Sequence, residues 1–131
     1  MIFGIGIDVT EIERIGASYD RFGERFARRI LGTREFERFE LRRAKSIVRG
    51  RAYLATRFAA KEAVAKALGL GMRSPMSWQS VEILNDASGR PVVWAYAELR
   101  RFVERNRLRL HVSLTDERAT ATAYVVAEVI Q

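Results

Sequence analysis

Three charged side chains on two predicted elements form the constellation in this sequence that is best suited to chemistry. Asp8 is the only charge before Glu11, and Glu62 and Lys66 stand four residues apart in an Ala-rich stretch. Two carboxylates on different elements can converge on one hard cation such as Mg²⁺, which takes one or two carboxylates together with water and phosphate oxygens. Taken alone, the pair formed by Glu62 and Lys66 is more often an exposed helix pair worth about 0.3–0.5 kcal/mol.

The stretch that carries Glu62 and Lys66, RFAAKEAVAKALG from Arg57 to Gly69, is predicted to be one helix. Ala fills five of its thirteen positions, and Leu, Lys and Glu, which also favour helices, fill several others. Gly69 ends it, as Gly commonly does just past a helix C-terminus. Phe58 lies four residues before Glu62, so an aromatic ring, a carboxylate and an ammonium share one face.

The element that carries Asp8 is predicted to be a strand from about Ile2 to Asp8, because its apolar residues are mostly β-prone. Gly4 and Gly6 within it indicate a bulge or the close approach of another backbone. Thr10 is predicted to cap a helix that starts at about Glu11. Asp8 would then stand at a strand-to-helix junction.

The remaining pattern alternates helices and short strands in an order typical of an α+β protein. It predicts helical pieces between 11 and 30 with breaks at Gly16 and Gly23, a helix over TREFERFELRRAK capped by Thr33, the Ala-rich helix from about Arg51, strands at 80–84 and 91–96 joined by a turn, a helix at 97–107, and strands at 108–115 and 122–129. We expect a mostly antiparallel sheet with helices packed on one face, in a single domain over residues 1–131.

The composition excludes several classes of site. Apolar residues make up 48% and charged residues 30% of the chain, as in an ordinary globular protein. No Cys is present, so disulfides, thiol nucleophiles and Cys-ligated zinc are excluded, and the single His excludes a multi-His metal site. No stretch approaches the length of a membrane span, and the N-terminal run lacks a basic leader, so we expect a cytoplasmic protein.

The positive charge is concentrated in one third of the chain. Eleven Lys or Arg and only five Asp or Glu lie between Asp20 and Arg51, in a protein of net charge +7. An Arg-rich region of this kind favours an acidic partner, which could be nucleic acid, an anionic membrane or an acidic protein. The cations of the first helical region, Arg14, Arg21, Arg25 and Arg28, can lie on one side of it, although a solvated basic face is an equally good interpretation.

Other patterns in the chain are weaker. Gly4 and Gly6 do not form a dinucleotide fingerprint, and Gly69 and Gly71 do not form a P-loop, because the further residues of those motifs are missing. His111 on an alternating strand is more often structural than catalytic. A small nucleic-acid-binding domain fits the sequence pI of about 10.5, but no aromatic–basic strand motif accompanies it. A non-catalytic adaptor for an acidic protein would leave two neighbouring carboxylates without a cation, which is costly.

The stretches GIGIDVTEIERI and RFAAKEAVAKALG together resemble the holo-acyl-carrier-protein synthase family of 4′-phosphopantetheinyl transferases. They match the family signatures GxGxDxxxxxR and FxxKEAxxKA, in the right order and in a chain of suitable length. Each motif is weak alone, and the two together are specific. The NDASGRP hairpin and the late HVSLTDERATATAYVVAE strand pair are also similar, so the resemblance extends along most of the chain.

This resemblance implies transfer of 4′-phosphopantetheine from coenzyme A to a serine of apo acyl carrier protein, with adenosine 3′,5′-bisphosphate as the leaving product. It implies dependence on Mg²⁺, with Mn²⁺ or Ca²⁺ as possible substitutes, and a role in fatty acid biosynthesis. It also implies a homotrimer with sites at the subunit interfaces, and neither nucleic acid nor a membrane as partner.

The resemblance assigns roles to individual residues. It implies catalytic roles for Asp8, Glu62 and Lys66, metal binding by Asp8 and Glu62, coenzyme A binding by Arg57, Lys66, Gly69, Gly71, His111 and Ser113, and carrier-protein docking by Arg14, Arg21, Arg25 and Arg28. Either a carboxylate or a metal-bound water would accept the serine proton.

Two positions depart from the family pattern. Leu70 stands where a Thr is frequent, so a hydroxyl contact to coenzyme A is lost there. Thr115 and Asp116 stand where many members have Ser and His. A carboxylate would repel a nucleotide phosphate, so no ligand role is assigned to Asp116.

Overall fold

The computed structural model describes all residues from Met1 to Gln131. Its strands are β1 (Ile2–Glu11), β2 (Val81–Asn85), β3 (Pro91–Ala95), β4 (Leu108–Asp116) and β5 (Thr120–Val129). Its helices are α1 (Ile12–Phe22), α2 (Glu24–Ile30), α3 (Thr33–Lys45), α4 (Ile47–Leu68) and α5 (Ala97–Arg105). None of these helices combines the length and the apolar character that a membrane crossing requires.

Strand β5 is the centre of a three-stranded antiparallel sheet, with β1 on one side and β4 on the other. Ala123 of β5 pairs with Asp8 of β1 and with Leu114 of β4. Strands β2 and β3 form a separate antiparallel hairpin. The predicted α+β class is confirmed, but the strands form two sheets where the sequence predicted one.

Helix α4 packs against the inner face of the three-stranded sheet at unusually short range. Gly4 and Gly6 face it, and a β-carbon at either position would overlap a backbone carbonyl oxygen of the helix, that of Ala67 or that of Ala63. The close backbone approach predicted from these glycines is confirmed. The Ala-rich sequence of α4 therefore serves close packing as well as helix propensity, and many of these alanines are completely buried.

Helix α4 is longer than the sequence predicted. It begins at Ile47 and not near Arg51, and the hydroxyl of Ser46 caps it by accepting the N–H of Arg49 at 3.3 Å. Gly50 lies inside the helix, at a close approach to α3. A β-carbon at this position would come within 2.9 Å of the β-carbon of Arg43 in α3. This glycine therefore marks a close crossing of two helices and not a break in the chain.

The junction after β1 also differs from the prediction. Strand β1 pairs with β5 as far as Glu11, so Thr10 stays extended and α1 begins only at Ile12. Thr10 is not a helix cap. Its hydroxyl instead donates to Oδ2 of Asp8 at 2.7 Å. Helix α1 runs through Gly16, where a break was predicted, and ends at Gly23.

A buried ionic network joins α3, α4 and the hairpin. The Nζ atom of Lys61 lies 2.7 Å from Oε1 of Glu35, and both side chains are completely buried. Glu35 also accepts the backbone N–H of Gly32 at 2.8 Å and that of Ile83 at 2.7 Å. This pair is therefore fully hydrogen-bonded, which is the condition under which a buried ion pair is tolerated.

A second buried carboxylate, that of Glu82, holds the start of α3. Its Oε2 atom accepts the backbone N–H of Arg34 at 2.9 Å and that of Glu35 at 3.0 Å, and its Oε1 atom accepts the hydroxyl of Tyr96 at 2.7 Å. A carboxylate at a helix N-terminus satisfies N–H groups that have no partner within the helix. Glu82 thereby fixes α3 to the hairpin.

The outer face of the three-stranded sheet, which points away from α4, is apolar and uncovered along β1 and the neighbouring part of β5, whereas β4 presents His111 and Ser113 there. Ile5, Ile7 and Val9 of β1 are 58%, 54% and 61% exposed, and Tyr124 of β5 lies beside them on the same face. A row of large apolar side chains in this position is more typical of an interaction surface than of a monomer's exterior.

Candidate active site

Asp8 and Lys66 meet at the seam between β1 and α4. The Nζ atom of Lys66 lies 3.3 Å from Oδ1 of Asp8 and donates to the carbonyl oxygen of Ile7 at 2.8 Å. Oδ2 of Asp8 accepts the Thr10 hydroxyl. The aspartate is therefore oriented from both sides, and the ammonium is held beside it with about half of its side chain exposed.

Glu62 belongs to the same charged cluster. Burial and the nearby charge of Asp8 raise the pKa of the Glu62 carboxyl, and Lys66 and Arg14 act in the opposite direction. Asp8 acts on this pKa as a nearby like charge, in second place after burial. Arg14 thus lies at the same cluster, although the sequence analysis placed it only among the docking arginines.

The donor set of this cluster fits a hard divalent cation. The carboxylates of Asp8 and Glu62 belong to this cluster, and no group of three or more His, Cys, Asp or Glu side chains surrounds one metal position. A cation with few protein ligands keeps positions for water and phosphate oxygens, as Mg²⁺ commonly does. Burial is the main cause of the raised pKa of Glu62, and a cation bound at the two carboxylates would favour their charged forms.

A basic groove of about 660 Å³ lies between α3, α4 and the hairpin. We define the basic groove by the cations that line it, Arg38, Arg42, Lys45, Arg49 and Arg57, together with Asn85, Leu114 and Asp116. The sequence analysis identified only Arg57 among the cations. The signal for the others was the spacing of 38, 42 and 45, which places three cations on one face of α3.

Arg57 forms part of the wall of this groove. It is 4% exposed, and its guanidinium donates to the carbonyl of Ile83 at 3.1 Å and to Oδ1 of Asn85 at 2.8 Å. Its guanidinium carbon also lies 4.1 Å from the centre of the Tyr53 ring. These contacts fix the position of the charge.

The carboxylate cluster and the basic groove lie on different sides of α4. Five residues separate Arg57 from Glu62, which turns their side chains about 140° apart around the helix. Asp8 lies on β1 at one edge of the sheet and Leu114 on β4 at the other, with β5 between them. Within one chain, no hydrogen bond or ion pair joins the carboxylate cluster to the cations of the groove.

Comparison with known proteins identifies the family. Residues 4–126 match the model of the 4′-phosphopantetheinyl transferase superfamily. The chain belongs to this superfamily. The predicted family and enzyme class are therefore confirmed.

Relatives in this superfamily match the chain over nearly its whole length. A holo-[acyl-carrier-protein] synthase of Leptothrix cholodnii is 54% identical over 128 residues, which are 98% of this chain and 97% of that protein. The crystal structure of the synthase from Neisseria meningitidis is 40% identical, with a TM-score of 0.89 over 98% of this chain and 99% of that one. The synthase of Helicobacter pylori, solved with coenzyme A, is 26% identical, with a TM-score of 0.79 over 95% of this chain and 99% of that one.

The remaining residues predicted to bind coenzyme A lie in two places: His111 and Ser113 are on β4, and Gly69 and Gly71 follow Lys66 at the end of α4. His111 and Ser113 are exposed positions on the outer face of β4, and Nε2 of His111 lies 3.0 Å from Oε1 of Glu128. Gly69 and Gly71 follow the end of α4 with φ values of 73° and 63°. Within one chain, the structure does not bring His111 or Ser113 to Lys66 or to the basic groove.

The four arginines assigned to docking differ in their surroundings. Arg14 lies beside Phe58, with its guanidinium carbon 5.8 Å from the ring centre, at the edge of the carboxylate cluster. Arg28 is paired with Glu24 at 3.0 Å and lies 4.0 Å from the centre of the Phe36 ring. Arg21 and Arg25 are exposed and form no ion pair, so they are the two best placed to meet an acidic surface in this superfamily member.

Proposed function

We propose that this chain transfers 4′-phosphopantetheine from coenzyme A to a serine of apo acyl carrier protein and releases adenosine 3′,5′-bisphosphate. The observation that carries the proposal is the junction of Asp8, Glu62 and Lys66 between β1 and α4, in a chain whose relatives are named holo-[acyl-carrier-protein] synthases. The product would support fatty acid biosynthesis.

Asp8 and Glu62 are the proposed ligands of Mg²⁺, for which Mn²⁺ or Ca²⁺ could substitute. When bound, such a cation would neutralise negative charge on the pyrophosphate of coenzyme A. Lys66 would act on the same charge, because its ammonium is held beside Asp8 and remains about half exposed. Fixed positive charge at the phosphoryl oxygens stabilises the transition state of phosphoryl transfer.

In the proposed reaction, the serine oxygen forms a bond to the phosphorus on the pantetheine side of the pyrophosphate. The bond from this phosphorus to the bridging oxygen breaks, and that oxygen leaves with adenosine 3′,5′-bisphosphate. The serine hydroxyl loses its proton to a base at the cluster, which is either a carboxylate or a water molecule.

We further propose a homotrimer in which the basic groove of one subunit faces the carboxylate cluster of the next. Two features support this arrangement. The two charged regions lie on different sides of α4 in one chain, and the apolar outer face of the sheet is uncovered. The cations of the groove would bind phosphate groups of the nucleotide, since Arg makes bidentate contacts with phosphate.

The direct test is to incubate the protein with coenzyme A, MgCl₂ and a bacterial apo acyl carrier protein, and then to weigh the carrier by mass spectrometry. We expect the carrier to gain the mass of one phosphopantetheine group, and to gain nothing when EDTA replaces the metal. A carrier variant in which the acceptor serine is Ala serves as the control. An unmodified wild-type carrier in the presence of metal would refute the proposal.

A further inference from the structure

Helix α2 carries Arg25, Arg28 and Arg29, and it is short, with Ala27 and Ile30 as its buried residues. It has seven residues and follows Gly23, whose φ is 65°. Helices this short are not stable on their own, and the last carbonyls of any helix lack partners within it. The position of its arginines therefore depends on contacts from other elements.

Two side chains from outside α2 hold its C-terminal end. The Nε2 atom of Gln79 lies 2.7 Å, 3.1 Å and 3.0 Å from the carbonyl oxygens of Arg28, Arg29 and Leu31. The Nζ atom of Lys61 donates to the carbonyl oxygen of Ile30 at 2.6 Å. All four consecutive carbonyls from residue 28 to residue 31 thus accept hydrogen bonds from these two side chains.

Both side chains also connect α2 to the carboxylate cluster. Lys61 directly precedes Glu62 on α4, and its Nζ atom also donates to the carbonyl oxygen of Trp78, the neighbour of Gln79, at 2.8 Å. The ring of Trp78 stacks on that of Phe58, with the ring centres 4.9 Å apart. Phe58 lies one helical turn before Glu62. The same short segment therefore touches the end of α2 and the helix that carries the carboxylate.

We infer that Gln79 is a positioning residue for the macromolecular substrate: by holding the last turn of α2, it sets the arginines of α2 at a fixed place relative to the carboxylate cluster. The inference rests on the proposed function and on the prediction that an acidic carrier protein docks on Arg25 and Arg28 of this helix. Gln79 would touch neither the carrier nor coenzyme A.

Gln79 can be tested by substitution, whereas Lys61 cannot, because removing Lys61 would leave Glu35 buried without its ion-pair partner. Gln79 is exposed, and Gln79→Met keeps its length but removes its donors. We expect the KM for apo carrier protein to rise about tenfold, as the loss of several hydrogen bonds can cause. The kcat, the KM for coenzyme A and the melting temperature should stay near the wild-type values.

A rescue experiment separates lost donors from other effects. Gln79→Lys restores donors that can reach the carbonyl oxygens, and it should bring the carrier KM back to within about threefold of the wild type, on the same hydrogen-bond scale. Adding Ser77→Lys to Gln79→Met supplies the same charge two residues away, and it should not restore the KM.

The possible failures are distinguishable. If Gln79→Met leaves the carrier KM unchanged, raises both Michaelis constants together, or is rescued equally by Ser77→Lys, the positioning role is wrong and the proposed function stands. If the wild-type protein modifies no apo carrier, the proposed function fails, and the positioning role fails with it.

Discussion

Glu62 is the side chain at which the role of a negative charge in the site can be tested most directly. Its carboxylate is half-buried and its pKa is raised by burial and by Asp8. Glu62→Gln preserves the volume but removes one of the two charges proposed to hold the metal. We expect the rate of phosphopantetheine transfer to fall at least about 100-fold, since a bound metal contributes several kcal/mol to such a step.

The measurement is the initial rate of carrier modification at saturating coenzyme A, together with Mn²⁺ binding by titration calorimetry. Glu104→Gln is the matched control, because Glu104 is an exposed residue of α5, remote from the cluster. Both rate and Mn²⁺ affinity should be normal in that control. A Glu62→Gln protein with wild-type rate and Mn²⁺ affinity would remove Glu62 from the site.

At this scale, the sequence predicted the part of the site whose residues lie in recognisable motifs. Asp8 and Lys66 were grouped from the sequence because each stands in a recognisable motif, but their direct ion pair was not predicted. The contact of Arg14 with Phe58 was not predicted either, because it depends on how α1 crosses α4. Such a crossing angle is decided by packing over many residues and has no local signature.

Among the elements, the attachment of α3 to the hairpin depends on the ionised state of Glu82. Burial raises the pKa of this carboxyl, but the hydrogen bonds from the Glu35 amide, the Tyr96 hydroxyl and the Arg34 amide outweigh burial, and the pKa lies below its ordinary value. A carboxyl whose pKa is lower in the folded state stabilises the fold at pH values above its unfolded-state pKa, which is about 4.3. That contribution is lost as the pH falls through the folded-state pKa.

We therefore expect Glu82→Gln to lower the unfolding midpoint in urea at pH 7, and the difference from the wild type to shrink steadily below about pH 4, where the unfolded-state carboxyl protonates. Urea unfolding followed by circular dichroism between pH 3 and pH 7 measures this. Glu37→Gln, at an exposed position of α3, is the control and should show no such pH-dependent difference. A constant loss at every pH would show that the charge of Glu82 is not the stabilising feature.

The elements themselves were predicted well where periodicity is local and less well at their ends. The strand and helix order was correct because hydrophobic alternation and Ala content are local properties. The start of α4 lies four residues before the predicted position, about Arg51, and Ser46 caps the helix there. The cap of α1 was wrong for a tertiary reason, because pairing of β1 with β5 keeps Thr10 extended. The buried pair of Lys61 with Glu35 was missed because its partners lie on different helices.

Considered as a whole, the molecule carries an accessible pair of arginines on its first helical region, where the acidic carrier protein is proposed to dock. We expect Arg21→Glu combined with Arg25→Glu to raise the KM for carrier protein about tenfold or more, because exposed charges act mainly on the association rate. The KM for coenzyme A should hardly change. Added salt should weaken the wild-type protein in the same selective way.

Steady-state kinetics with each substrate varied in turn measures this selectivity. Arg100→Glu combined with Arg105→Glu reverses the same number of charges on exposed positions of α5 and should leave both constants unchanged. If the Arg21 and Arg25 reversals weaken coenzyme A and carrier equally, these arginines belong to the nucleotide site. If neither constant changes, the arginines form only a solvated face.

The assembly of several copies is the other property of the whole molecule that can be tested. We expect light scattering to give the mass of three chains at micromolar concentration, and Ile7→Glu to give monomers, because the new charge lies in the middle of the apolar outer face of the sheet. The monomers should also lose activity, since the basic groove and the carboxylate cluster would no longer meet. Val48→Glu replaces a still more exposed apolar residue, on α4, and should leave the trimer intact. A stable wild-type monomer would contradict the proposed assembly.

The choice of arginine over lysine has a practical consequence for covalent labelling. Only three lysines are present, at positions 45, 61 and 66, and Lys61 is completely buried. Besides the N-terminus, amine-reactive dyes and surface-coupling reagents therefore have two accessible targets. These are Lys45 in the basic groove and Lys66 beside Asp8. Attachment through amines would place the label or the solid support on the functional surface. An engineered cysteine on α5 would leave that surface free, since the chain has no cysteine of its own.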